Sequence, residues 1–348
     1  MNKINTLPTG YLFTIDGERG ELEVLSIGDY GKKANVKADF LGYTEHIKGV
    51  INQPCMPLSE KWVVTLSTQY GCPQKCNFCQ VPEIPFKGNV SFLDLKNQLY
   101  NALSLFPDVS YTERLNIHFA RMGEPIYNPA VIDFAIWLQK EKRTFQKETG
   151  ISFEVIHPVL TTSLPRRFKR LKESLLRWID VKNNIYNGQA GLQISINSSN
   201  EDQRQEMFGG ESITLEEFSA IAKDFEPPLS RKYCLNIAYA SGNEIDGKKL
   251  ATLFNPDYWM CKITPIHNND ICRKNGIETI DGYSSYEPYL YPETELKAAG
   301  FDVLVFIPSM DEEQGLVTCG NLIIGGSTIG KLSGGINIDG IKIVKSEL

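Results

Sequence analysis

From residue 61 onward the chain repeats one pattern, a short β-branched apolar run followed by a helical stretch. The runs are KWVVTLST (61–68), LNIHFA (115–120), FEVIHPVLTT (153–162), LQISIN (192–197), CLNIAYA (234–240), YWMCKITPI (258–266) and FDVLVFI (301–307). Helical stretches lie between them near 91–107, at 129–146, at 165–178, from Thr214, near 245–254 and near 291–299. Such βα units demand parallel strands joined by right-handed crossovers. Six or so of them predict an α/β fold, a partial or full parallel (βα) barrel. Chemistry in such barrels collects at the C-terminal ends of the strands.

The flanks read differently. Residues 1–60 form a small β-rich N-terminal region, with YLFTI, ELEVLSI and ANVKADFLG as strands between turn signals DGERG and GDYGKK. The barrel is assigned to 61–323. Residues 324–348 are a Gly-rich C-terminal extension, read as short strands or a loose tail.

Hydrophobic content of 42% and charged content of 22% are those of a soluble globular protein. The N-terminus lacks the apolar core of a secretory signal, and no run has membrane-spanning length. The expectation is a cytoplasmic, reducing location with no membrane partner. A net charge of −6 argues against holding nucleic acid by bulk electrostatics. The basic stretch PRRFKRLKESLLRW (165–178) reads as a solvated helix surface, with RNA contact as the other reading.

Three of the eight cysteines fall in GCPQKCNFCQ, where Cys72, Cys76 and Cys79 follow the spacing C-x3-C-x2-C just after the first barrel strand. An odd number in a reducing compartment disfavours a disulfide. Structural zinc takes four ligands, usually as two separated pairs, and no C-x2-C partner appears elsewhere. Three thiolates on a [4Fe-4S] cluster leave one iron open for a non-protein ligand. This is the motif of the radical S-adenosyl-L-methionine (SAM) superfamily, with Phe78 as the aromatic before the third cysteine.

That resemblance implies that SAM chelates the open iron and is cleaved, by an electron from the cluster, to methionine and a 5′-deoxyadenosyl radical. An external electron donor such as flavodoxin or ferredoxin would supply the electron. Strand ends offer groups for SAM. Gly123, Glu124 and Pro125 follow the second strand: the glycine lets backbone approach the ligand, and the Glu124 region accepts from an ammonium. Thr162 and Ser163 end the third strand, with hydroxyls suited to a carboxylate. Ser195 and Asn197 end the fourth and reach toward a ribose, and Asn268 follows the sixth as an adenosine or ribose partner.

The order TLSTQYGC-x3-C-x2-C, MGEPIYN, TTS, SIN followed by EDQR, and TCGNL resembles the radical-SAM RNA adenine methyl synthases (the RlmN/Cfr family) over residues 61–323. In that family the cysteine of the C-terminal segment, here Cys319, is methylated by one SAM. A second SAM yields the radical that takes hydrogen from that methyl group, and the resulting methylene radical adds to an sp2 carbon of adenine. Carrying the methyl on sulfur lets the protein aim a radical at a carbon too electron-poor for SN2 chemistry.

This chain departs from the family in three ways. The cysteine that resolves the covalent adduct, seven residues before the first cluster ligand, is here Thr65. Cys55, Cys234, Cys261 and Cys272 are other thiols, of which Cys234 and Cys261 read as core strand residues. Upstream of Cys319 stand Asp311, Glu312 and Glu313 instead of arginines, and they would repel a phosphodiester. The β-rich N-terminal region stands where the family has a helical RNA-binding module. The expectation is therefore a radical-SAM methyltransferase moving a one-carbon unit through Cys319 to an unreactive carbon of RNA adenine or of a nucleoside-like or heteroaromatic molecule. The alternative is a non-methylating radical-SAM isomerase, oxidase or peptide modifier, with Cys319 as thiol hydrogen donor.

Overall fold

The computed structural model describes residues 3–29, 35–44, 56–279, 285–308, 316–317, 321–324, 330–338 and 341–346. Strands β1 (Lys3–Leu7), β2 (Gly10–Gly17) and β3 (Gly20–Gly28) form an antiparallel meander, followed by the short β4 (Val36–Lys37). The repeat then runs through β5 (Lys61–Leu66), a small hairpin of β6 (Gln69–Tyr70) and β7 (Gly88–Asn89), β8 (Tyr111–Phe119), β9 (Ser152–Thr162), β10 (Gly191–Ser195), β11 (Tyr233–Tyr239), β12 (Trp259–Pro265) and β13 (Asp302–Phe306). A C-terminal hairpin, β14 (Gly330–Ile338) and β15 (Ile341–Ser346), ends the chain.

Strands β5-β8-β9-β10-β11-β12-β13 lie side by side and parallel, as the alternation requires. The meander continues this sheet through β3–β5 pairing, β14 pairs with β1, and β4 caps the far edge beside β13. The N-terminal strands are therefore an antiparallel wing of the same sheet.

Period-two alternation explains the two faces of the strands. Leu115, Ile117 and Phe119 of β8 enter the main core, where Phe119 meets Phe134 and Trp178 edge-on with centroids 6.3 and 6.2 Å apart. That face packs on the helices. The alternate residues of β5, β10, β12 and β13 stay partly exposed between buried neighbours. They lie on the face turned away from those helices, the lumen face of the expected barrel, which bears the partly exposed Thr65, His118, Gln193, Ser195, Asn236 and Lys262.

The helices follow local chemistry. Ser91 caps Phe92–Ser104 and Thr214 caps Leu215–Ala222, each through a capping box that satisfies otherwise orphaned amides. The expected helix at 129–146 breaks at Glu141 into Pro129–Lys140 and Lys142–Thr149. The basic stretch is helical only from Leu171. Before it, Pro165 bridges to Ser212 and holds Arg166–Arg170 outside the helix. Helices Glu201–Met207 and Asp270–Lys274 lie outside the helical stretches expected from the sequence; asparagines at 200 and 269 cap them. ANVKADFLG narrows to the two-residue β4 and a 3-10 turn, Asp39–Leu41.

Candidate functional site

The cysteine loop leaves β6 through Gly71, whose φ of +72° and close approach to the Ile84 carbonyl exclude a side chain. Cys72, Cys76 and Cys79 are partly exposed thiols outside any disulfide, and the Cys79 amide donates to the Cys76 carbonyl at 3.2 Å. Three elements clamp the loop. The Asn77 amide donates to the Met207 carbonyl at 2.8 Å and its side chain to the Glu206 carbonyl at 2.6 Å. Asn269 donates to the Phe78 carbonyl at 2.9 Å and Asn275 to the Asn77 carbonyl at 2.7 Å. Gly209 presses on Lys75, where an added Cβ would stand 2.4 Å from the carbonyl oxygen. Phe78 lies edge-on to Phe208 with centroids 5.7 Å apart.

The loop after β8 carries Gly123, Glu124 and Pro125 against these cysteines. Gly123 holds φ +96° hard against Gln69, whose side-chain oxygen accepts the Glu124 amide at 2.8 Å. The buried Glu124 carboxylate accepts from the Ser163 amide at 2.8 Å, the Ser163 hydroxyl at 2.7 Å and the Ile126 amide at 3.3 Å. Burial pushes the Glu124 pKa up, and the Ser163 and Thr162 bonds oppose that rise. Two strand ends read separately in the sequence thus form one unit. The buried Pro125 opens the 3-10 turn Pro125–Tyr127. Thr162 is buried and accepts the Leu164 amide at 3.0 Å.

Ser195 ends β10 on the lumen face, in register with Asn236. Asn197 is buried with φ +60°; its Oδ1 accepts the Ala238 amide at 3.0 Å, and its Nδ2 has no partner among the described residues. A buried, unpaired amide donor at a strand end suits a ligand hydroxyl. Asn268 is exposed, and its backbone and side-chain oxygens accept from Arg273 at 2.6 and 3.3 Å. The neighbouring Asn269 is the residue that reaches the cysteine loop.

The donor set fits a cluster. Burial pushes Cys72 up to about 12, with Glu124 adding to the rise. Burial, then Cys79, Cys72 and Glu124, push Cys76 well above the usual thiol range. The thiols are therefore close enough to repel one another as anions, a state that bound iron stabilises. Among the described residues no three His, Cys, Asp or Glu side chains are arranged to hold a metal ion. A multi-iron cluster instead spreads its thiolates over separate corners.

The profile of the Radical SAM superfamily matches residues 66–224, spanning these cysteines, the Glu124 loop, Ser163 and Asn197. Residues 66–224 are a radical SAM domain. Curated relatives include a probable dual-specificity RNA methyltransferase RlmN from Pseudothermotoga lettingae, 26% identical over 58% of this chain and 54% of its own length. A protein of the same name from Chlorobaculum tepidum is 24% identical over 64% of this chain and 56% of its own. The chain thus spans about half the length of these relatives. A radical SAM methyltransferase from Sphaerobacter thermophilus shares the fold, with TM-score 0.54 and 16% identity over 88% of this chain and 75% of that one.

Arg204 was not legible as a site residue. It is fully buried beneath the radical SAM cysteine loop, donates to the Ile213 carbonyl at 2.6 Å, and lies over the Phe208 ring at 5.2 Å. Burial lowers its pKa to about 10, while Glu201 and Cys76 pull the other way. Sequence offers only the Glu201–Arg204 spacing, which usually marks a surface pair.

The remaining thiols and the basic stretch also have places. Cys234 and Cys261 are buried in β11 and β12, and the Cys272 thiol donates to the Phe78 carbonyl at 3.5 Å. Thr65 lies on the lumen face beside His118. Arg166, Arg167 and Arg170 face Glu217, Glu211 and Glu173 at 3.8, 3.1 and 2.7 Å, and Lys172 pairs with Asp224. Cys319, Cys55, Asp311, Glu312 and Glu313 lie outside the described residues.

Proposed function

We propose that this chain is a radical SAM methyltransferase of the methyl-synthase type. Cys319 carries a one-carbon unit to an unreactive sp2 carbon of RNA adenine or of a nucleoside-like or heteroaromatic substrate. Cys72, Cys76 and Cys79 hold a [4Fe-4S] cluster. Gly123, Glu124 and Pro125, Thr162 and Ser163, Ser195 and Asn197, with Asn268 at the rim, form the SAM side of the site. The cluster and SAM, when bound, supply a carbon-centred radical, with an electron from a flavodoxin- or ferredoxin-like donor.

The protein's own part is orientation. Glu124 is held by Ser163 so that its carboxyl faces the cysteine loop, and the helices around the sheet keep bulk water from its outer face. The observation that supports a carrier at Cys319 is the anchoring of its flanks. Val317 and Leu322 pack on Leu7, Leu12, Leu25 and Ile27, with Val63 of the lumen at the edge of the cluster. Arg121, two residues before Gly123, donates to the carbonyls of Leu316 and Val317. The names of the RlmN-type relatives point to the same chemistry.

Incubating the reconstituted protein with methyl-labelled SAM tests the reading. Peptide mass spectrometry is expected to find an S-methyl group on Cys319. Label nowhere on the protein, while 5′-deoxyadenosine still forms, refutes the carrier role. A second reading, hydrogen abstraction with Cys319 as a thiol donor, is favoured by Thr65, since no thiol stands there to resolve an adduct. Cys319→Ala separates the two: methylation stops at its first step, whereas abstraction and deoxyadenosine release continue.

A further inference from the structure

The Arg121–Glu23 pair joins the loop after β8 to β3. Glu23 is fully buried and the Arg121 side chain is 4% exposed. Such a pair is expensive to bury unless its remaining donors and acceptors are also satisfied. Here the C-terminal segment satisfies them from both sides. The other two Arg121 nitrogens donate to the Leu316 carbonyl at 2.8 Å and the Val317 carbonyl at 3.0 Å. The second Glu23 oxygen accepts the Leu322 amide, and Asn321 Nδ2 lies 3.5 Å from the first. Lys3 Nζ adds bonds to the carbonyls of Leu322 at 3.2 Å and Ile323 at 3.1 Å.

None of these bonds is needed to close the sheet. β3 already pairs with β5 from Leu25–Thr65 to Gly28–Trp62. Arg121 also lies two residues past the end of β8 and three before Glu124, so the pair links the SAM side of the site to the carrier side. Cys319 stands two positions after Val317 and two before Asn321. Two extended residues reach only about 7 Å.

We propose that Arg121 and Glu23 are positioning residues that fix the backbone on both sides of Cys319 at the mouth of the barrel, beside the Glu124 loop. The proposal rests on the carrier reading of Cys319. A planar guanidinium bonded to a carboxylate and two carbonyls sets both distance and direction. A lysine at 121 keeps the charge and loses the fork.

The test uses the full chain, reconstituted anaerobically, as wild type, Arg121→Lys and Arg121→Met. The first readout is Cys319 methylation from labelled SAM, measured beside the SAM dissociation constant. Arg121→Met is expected to slow methylation at least tenfold with SAM affinity within twofold, and Arg121→Lys to fall between. Unchanged methylation, or SAM affinity falling in step with it, overturns the proposal. The second readout is amide hydrogen exchange at Leu322 and Ile323, expected to quicken at least tenfold in Arg121→Met. Unchanged exchange refutes the anchoring even if the wild type shows no label on Cys319, an outcome that by itself refutes only the carrier reading. Should Arg121→Met not fold, the double variant R121L/E23L, which leaves no lone buried charge, carries the same readouts.

Discussion

Gly123→Ala is the sharpest test of how the Glu124 loop is held. Two separate penalties follow from the structure. The φ of +96° is one that an L side chain resists, at about 1–2 kcal/mol. The added Cβ would also stand 2.5 Å from Gln69 Cβ, 2.7 Å from its Cγ and 2.8 Å from its backbone nitrogen. Those atoms lie at the root of Gln69 and cannot swing aside, so the overlap adds about 1–3 kcal/mol. The expected loss is about 2–5 kcal/mol. Gly210→Ala is the internal control, because Gly210 has φ +72° and nothing within 4 Å of its Cβ position. It should show the first penalty alone. Denaturant unfolding of the cluster-free chain, with equal slopes for all three proteins, measures both. A second effect concerns function. Displacing Gln69 strains its 2.8 Å bond to the Glu124 amide, so SAM binding to the reconstituted Gly123→Ala protein should weaken by up to roughly tenfold. The reasoning fails if the two alanine variants unfold within about 0.5 kcal/mol of each other, or if SAM binds Gly123→Ala as it binds the wild type.

Stability should fall with acid through the buried imidazoles. Burial, then Arg231 and Arg114, hold His157 well below the usual range; burial, then Lys262 and Lys61, bring His118 down to about 3. Both stay neutral when folded and take a proton near pH 6.5 when unfolded. The stability they contribute is therefore present above pH 6.5 and lost as pH falls below it. At pH 5 the loss is about 2 kcal/mol for His157 and nearer 1 for His118, which is less completely buried. His157→Gln should flatten the pH 7.5-to-5 decline by about 2 kcal/mol in urea melts, and an unchanged slope contradicts the assignment. Replacing any of Cys72, Cys76 or Cys79 with alanine should abolish iron uptake on anaerobic reconstitution, read as iron content and visible absorbance. Cys272→Ala, which gives up the bond to the Phe78 carbonyl, should retain uptake; its loss there would mean a different ligand set.

Periodicity carried the parallel strands far because each is buried on one face and each connection is local. The runs at 61–68, 153–162 and 234–240 match β5, β9 and β11 to within two residues at either end. Short elements escaped. Helices Glu201–Met207 and Asp270–Lys274 are seven and five residues long, too short for a 3.6 period to register, and they clamp the cysteine loop. Asn269, which caps the second of them, also reaches the Phe78 carbonyl.

By itself the sequence determined what depends on spacing and local chemistry. That covers the βα alternation, the C-x3-C-x2-C loop and the MGEP turn, whose glycine is required by one backbone angle. Tertiary structure decided what depends on chain segments far apart. Glu124 meets Ser163 across 39 residues, and Arg204 is buried beneath the cysteine loop. Glu23 of the N-terminal wing and Arg121 close on backbone some 200 to 300 residues further along. No local pattern encodes such pairings, because a buried charge is tolerated only where the assembled fold supplies its remaining bonds.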